Sequence, residues 1–161
     1  MKTRFGLILG SIALATGAIA TFTDMNQGNY TASANQLIAQ AQPSNRLATE
    51  LQGKPVIVKI HADWCSACRT IAPIIQEMQQ QYNGRANFVV FDITNQSTIK
   101  ASVARARELG LDGFFTANRT RNATVAFINP ENGQVLEQFT KNTNRAEYTR
   151  AVNSAINQVS N

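Results

Sequence analysis

Cysteine is nearly absent from this 161-residue chain: there are two, Cys65 and Cys68, three positions apart. A bridge between them would close too small a loop to hold a fold together, which excludes a disulfide-stapled scaffold. Redox chemistry, metal ligation and coincidence remain open for the pair. Histidine is scarcer still, with His61 the only one. Zinc asks for four ligands, and Cys65, Cys68 and His61 supply three at most. Acidic residues are missing from the N-terminal end, where nothing acidic precedes Asp24. Setting aside Lys2 and Arg4, thirteen basic residues face ten acids, a net of +3. That excess is small and scattered, and Arg105 and Arg107, two apart, do not share a helix face, so nucleic acid is not an expected partner. Internal repeats are absent as well. At 43% apolar and 16% charged residues the chain has the composition of an ordinary globular protein.

What is present at the N-terminus is a sorting pattern. Lys2 and Arg4 precede an uncharged apolar run over residues 5–22, and Ala18-Ile19-Ala20 fits a small-residue cleavage site. The run also reaches the lower limit for a membrane-spanning helix. Residues 1–22 therefore read as a signal peptide or a membrane anchor. In either case the basic end stays inside and the remainder is exported, to a periplasm or a thylakoid lumen. Contact with the membrane is expected only through residues 5–22, if they are not cleaved. With no cysteine nearby, a lipid anchor is not available. Residues 23–42, rich in Asn, Gln, Ser, Thr and Ala, read as a flexible spacer. Asn29, Asn118 and Asn122 each open a short glycosylation sequon, a pattern common by chance.

Residues 43–161 carry the periodicity of a folded domain. A short helix is expected from Ser44 through Leu51, followed by a β-branched strand, Val56 to Ile60. A helix over residues 66–82 carries Ile71, Ile74, Ile75 and Met78 at helical spacing, with Pro73 expected to kink it. A strand over residues 87–91 and a helix capped by Ser97 and ended by Gly110 come next. The strand at 124–128 then turns through Asn129-Pro130-Glu131-Asn132-Gly133 into another at 134–139, an antiparallel hairpin. Asn144 and Glu147 form a capping box for the last helix. Alternating units of this kind predict an α/β protein with a central sheet covered on both faces.

Cys65 falls at the start of a helix that follows a strand. Unpaired backbone N–H groups and the helix dipole favour an anion there, and the thiolate is the reactive form of a thiol. Cys68 lies one turn on, within reach to resolve a mixed disulfide.

Ala62-Asp63-Trp64-Cys65-Ser66-Ala67-Cys68-Arg69, with Pro73 five residues beyond, resembles the active-site segment of the thioredoxin family, and the element order resembles that family from about Ser44 to Val159. The resemblance implies a thioredoxin fold, a central mixed sheet of about four strands flanked by helices. It implies Cys65 as nucleophile, Cys68 as resolving thiol in a redox disulfide with it, and Trp64 as a flank of the substrate surface. Asp92-Ile93-Thr94 matches the acidic loop after the next central strand. Three departures stand out. Lys59 occupies the place of the family's buried Asp; facing the sulfurs it would stabilise thiolate and make the pair more oxidising, and otherwise its stem runs past the core to water. Ala123, before Thr124, stands where the family has a cis-proline, and a trans bond is expected there. Residues 114–122 look like an insertion beside the site, with Phe114 and Phe115 either lining a partner groove or packing, and Arg119 and Arg121 solvated. His61, where an aromatic is common, either tunes the thiolate or packs against the sheet end.

The expected activity is that of an exported thiol–disulfide oxidoreductase, without a cofactor, acting on exported proteins with thiols or disulfides and drawing on a membrane electron donor or acceptor. The alternatives are a non-catalytic thioredoxin-fold binding module and a metal-binding protein using Cys65 and Cys68.

Overall fold

A computed structural model describes residues 45–160. The segment at 1–22, the spacer at 23–42, the sequon at Asn29 and the Ser44 cap lie outside them.

Strand β1, Val56–His61, is the axis of the domain. Its run of β-branched residues is buried on both faces, as expected for a strand covered by helices above and below. It pairs in parallel with β2, Asn87–Asp92, and antiparallel with β3, Thr124–Ile128, which pairs antiparallel with β4, Val135–Thr140. The sheet order is β2-β1-β3-β4. The β3–β4 hairpin carries an irregularity at Phe127/Ile128, where the register moves from Glu137 to Val135. β2 is an edge strand, and its far end is closed by Ser102, whose hydroxyl accepts from Asp92 N–H at 2.9 Å and donates to Asp92 C=O at 2.9 Å.

Four helices cover this sheet among the described residues: α1 Ser66–Gln81, α2 Gln96–Leu109, α3 Asp112–Asn118 and α4 Arg145–Val159. α1 turns Cys68, Ile71, Ile75 and Met78 inward at helical spacing. Pro73 lies on its exposed side, and the helix continues through it. The cap of α2 is Asn95 rather than Ser97: Asn95 Oδ1 accepts from Ser97 and Thr98 N–H, and Thr98 Oγ1 accepts from Asn95 N–H. Gly110 ends this helix at φ 72, and a Cβ there would lie 3.3 Å from Leu47 Cα.

One further expectation is corrected. The leading segment is not a helix but one 3-10 turn, Thr49–Leu51. Its backbone bonds outward instead, Leu47 N–H to Pro130 C=O at 2.8 Å and Ala48 N–H to Leu109 C=O at 3.0 Å. Most of the segment at residues 114–122 belongs to α3. Leu111, Phe115 and Asn118, at helical spacing, face the core, and the Phe115 ring lies 5.0 Å from that of Phe91. Phe115 therefore packs rather than lining a groove, while Arg119 and Arg121 are exposed. Asn118 is buried, donating to Phe114 C=O and accepting from Gln138, so its sequon offers no accessible amide.

The cap of α4 also differs in detail. Asn144 Oδ1 accepts from Ala146 N–H, but Asn142, not Glu147, receives the Asn144 N–H. Asn142 C=O in turn accepts from the buried Tyr148 hydroxyl at 2.9 Å. Burial, with Glu147 adding to it, pushes the Tyr148 phenol up to about 12. Tyr148→Phe is expected to cost about 1 kcal/mol at pH 7 in urea unfolding. A raised folded pKa contributes fully below the unfolded value of about 10 and is lost on the way to the folded one. The gap between wild type and variant should therefore close between pH 10 and 12.

Candidate active site

The site sits where β1 ends and α1 begins. Cys65 is the N-cap of α1, and its Sγ accepts the Cys68 N–H at 3.1 Å. A first-turn N–H thus points straight at the first sulfur. Both cysteines are free thiols. Cys65 is only 4% exposed and Cys68 is fully buried, so the pair's small opening to solvent is at Cys65. Burial pushes the Cys68 thiol up, and its contact with Cys65 adds to this; backbone groups of Ala62 and Ala123 pull the other way. Cys68 rests as a protonated thiol.

Cys68 Sγ lies 3.9 Å from Ile60 C=O, and the same carbonyl accepts the Ala123 N–H at 3.0 Å. Ala123 is thereby brought against the pair. No peptide bond among the described residues is cis, and Ala123 takes a left-handed conformation, φ 57. For a residue with a Cβ this costs roughly 1–2 kcal/mol. Thr124 follows in β3, fully buried, with its hydroxyl engaged by that of Thr140 at 2.9 Å, so this side chain does not reach a substrate surface.

Trp64 is 60% exposed beside the opening. It is nevertheless fixed at one edge: its Nε1–H donates to Thr94 C=O at 3.1 Å, and the neighbouring Asp63 N–H donates to Thr94 Oγ1 at 3.0 Å. Thr94 N–H donates to Asp92 Oδ1 at 2.7 Å. Burial pushes the Asp92 carboxyl up, but hydrogen bonds from Thr94, the nearby His61 and Thr98 outweigh it and hold Asp92 below the usual carboxylate range. Asp92 and Thr94 thus anchor the exposed indole.

His61 and Lys59 lie on the same face of β1. His61 Nε2 pairs with Asp63 Oδ1 at 3.0 Å, and Nδ1 is buried with no partner in the protein. No group of three metal-ligating side chains comes together among the described residues, so the geometry leaves a cysteine-based metal site with two protein ligands. Lys59 is 7% exposed. Burial lowers its ammonium, and the sulfurs of Cys68 and then Cys65 raise it.

The chain is similar in sequence to known proteins. The thioredoxin family model matches residues 37–106. The thiol:disulfide interchange protein TxlA homolog of Synechocystis sp. is 33% identical over 133 residues, 82% of this chain and 70% of that protein. The thioredoxin-like protein HCF164, chloroplastic, of Oryza sativa is 37% identical over 86 residues, 52% of this chain but 32% of that protein. A Fasciola hepatica thioredoxin structure, 19% identical, superposes over 78% of this chain and 93% of its own with a TM-score of 0.46. The chain belongs to the thioredoxin family, among its thioredoxin-like disulfide oxidoreductases.

Trp64 is the single tryptophan, so its fluorescence reads the anchor directly. Asp92→Ala is expected to lower the anisotropy of Trp64 and to cost about 1 kcal/mol in stability at pH 7. A depressed carboxylate contributes above its unfolded value of about 4 and loses that contribution as pH falls through the folded one. The difference between wild type and variant should accordingly vanish in acid, below pH 4.

Proposed function

We propose that this protein exchanges disulfides with exported partner proteins, Cys65 attacking and Cys68 resolving. The observation that carries the reading is the asymmetry of the pair. The Cys65 sulfur accepts a helix N-terminal N–H and has the only opening to solvent, while Cys68 is sealed beneath it as a thiol. In the reducing direction the Cys65 thiolate attacks a partner disulfide, forming one mixed disulfide and releasing the partner's first thiolate. Cys68 then loses its proton and attacks Cys65 Sγ. The Cys65–Cys68 bond forms, the partner's second sulfur leaves, and the proton ends on it. The oxidising direction runs the same steps backwards. The exposed Trp64 offers an apolar face beside the opening for the partner chain.

Export is the second half of the reading. It is supported by Lys2 and Arg4 ahead of an acid-free apolar run and by the chloroplastic description of the Oryza relative, and it points to a periplasm or thylakoid lumen. If residues 5–22 stay uncleaved they tether the domain, and a membrane donor or acceptor of electrons is its natural partner.

The full chain should reduce insulin with dithiothreitol as electron source. Cys65→Ser should abolish turnover, and Cys68→Ser should instead accumulate a mixed disulfide that a thiol reductant releases. Turnover equal in wild type and Cys65→Ser would overturn the reading. For export, residues 1–42 fused to alkaline phosphatase should yield an active enzyme, since its disulfides form only outside the cytoplasm.

A further inference from the structure

Lys59 is a charged group in a place that gives it little reason to be charged. It lies in the middle of the central strand, flanked by Val90 on β2 and Val125 on β3. It is 7% exposed, and none of the ion pairs among the described residues involves it. It opens onto a cavity of about 290 Å³ between β1 and α1, lined also by His61, Ala72, Gln76 and Gln79. Those side chains bring two amides and one imidazole but no carboxylate. Two acids at this end of the sheet are engaged elsewhere: Asp63 pairs with His61, and Asp92 holds Thr94. The cysteine pair near Lys59 carries a negative charge in only one state of the protein, the reduced one. Cys68 lies on the α1 face one turn before Ala72, with its Sγ against the carbonyl of Ile60, the residue next to Lys59. Burying an ammonium without a partner is costly, and the cost falls when an anion forms beside it.

We propose that Lys59 is the counter-charge of the reduced cysteine pair, a positioning residue that favours the dithiol over the disulfide and makes the pair a stronger oxidant than a neutral group there would. The inference rests on the redox reading above. In the disulfide the two sulfurs carry no charge and Lys59 stands alone. When a partner dithiol supplies two electrons, the Cys65–Cys68 bond breaks and the partner's disulfide forms. One of the partner's two protons goes to Cys68. The other goes to solvent, and the Lys59 ammonium balances the thiolate left on the pair. The attraction exists only on the reduced side, so it shifts the equilibrium that way. The groups facing this charge are Cys65 and Cys68 from the α1 start, Gln76 and Gln79 from α1, and His61 on its own strand; β2 and β3 face it with valines.

The full chain, as wild type, Lys59→Met and Lys59→Arg, is equilibrated against glutathione buffers of graded ratio, and the thiols are trapped by alkylation. Lys59→Met should move the equilibrium toward disulfide by tenfold or more, about 30 mV more negative, and shift the pH profile of iodoacetamide reaction to higher pH. Lys59→Arg should stay within threefold of wild type. Lys59→Met should also raise Tm, because an unpartnered buried charge is gone. A residue that served packing alone would move Tm and leave the potential in place. Should the methionine variant not fold, Lys59→Gln carries the same expectation for the potential. An equilibrium within twofold of wild type in the folded neutral variant overturns the role of Lys59 and leaves the redox reading standing. A wild-type pair that never forms a disulfide in any buffer overturns both.

Discussion

One backbone carbonyl organises the site. Ile60 C=O, at the end of the central strand, accepts the N–H of Ala123 and meets the sulfur of Cys68. It joins three parts of the chain that lie far apart in sequence: the strand before the cysteines, the helix after them, and the turn that enters β3. The order of the sheet follows from the same strand, since β1 is the only one flanked by both a parallel and an antiparallel neighbour. A helix start at Cys65 is then unavoidable, because the chain must leave β1 at His61 and cross back to enter β2 in parallel, and that crossing needs a helix. The cysteine chemistry is a by-product of this geometry. A strand end supplies the floor, a helix start supplies the N–H, and the sulfur sits between them.

Much of this was legible in the sequence because its signals are local. The β-branched run at 56–60, the helical spacing of Ile71, Ile75 and Met78, and the turn at 129–133 each fit one element alone. The helix start placed Cys65 correctly for the same reason. The failures are of another kind. Leu47 and Leu51 look like a helix face, yet the N–H groups of Leu47 and Ala48 bond to Pro130 and Leu109, partners no local pattern shows. No helix was expected around Phe114 and Phe115 because seven residues are too few to establish a period. The spacing Leu111, Phe115, Asn118 was nevertheless there to be found. The Asn144 cap was found, but its second half comes from Asn142, just outside the motif.

Among the candidate site residues the division is similar. Cys65, Cys68 and Trp64 follow from a contiguous motif and come together as expected. Lys59 and Ala123 were marked by comparison with a family pattern; the fold brings Ala123 to the carbonyl that meets Cys68, and Lys59 precedes that carbonyl's residue in β1. Thr124 does not join them, since alternation along β3 turns its hydroxyl to Thr140. Thr94 and Asp92, which fix the indole, lie thirty residues from it, and only the parallel register of β1 and β2 brings them there.

The short segment ahead of β1 has a mechanical meaning. Leu47 N–H holds Pro130, Ala48 N–H holds Leu109, and the Gln52 amide holds both Leu47 and Pro130. Gly110 lets the two backbones lie close, with room for no side chain between them. A force drawn along the chain from its N-terminal side is therefore borne by the β3–β4 turn and the end of α2. It is spread into the rigid body of the domain before it reaches β1. The strand that carries the cysteine floor is relieved of that load, so a domain pulled from its leading end would give way at residues 47–52 while its sulfurs stayed in register.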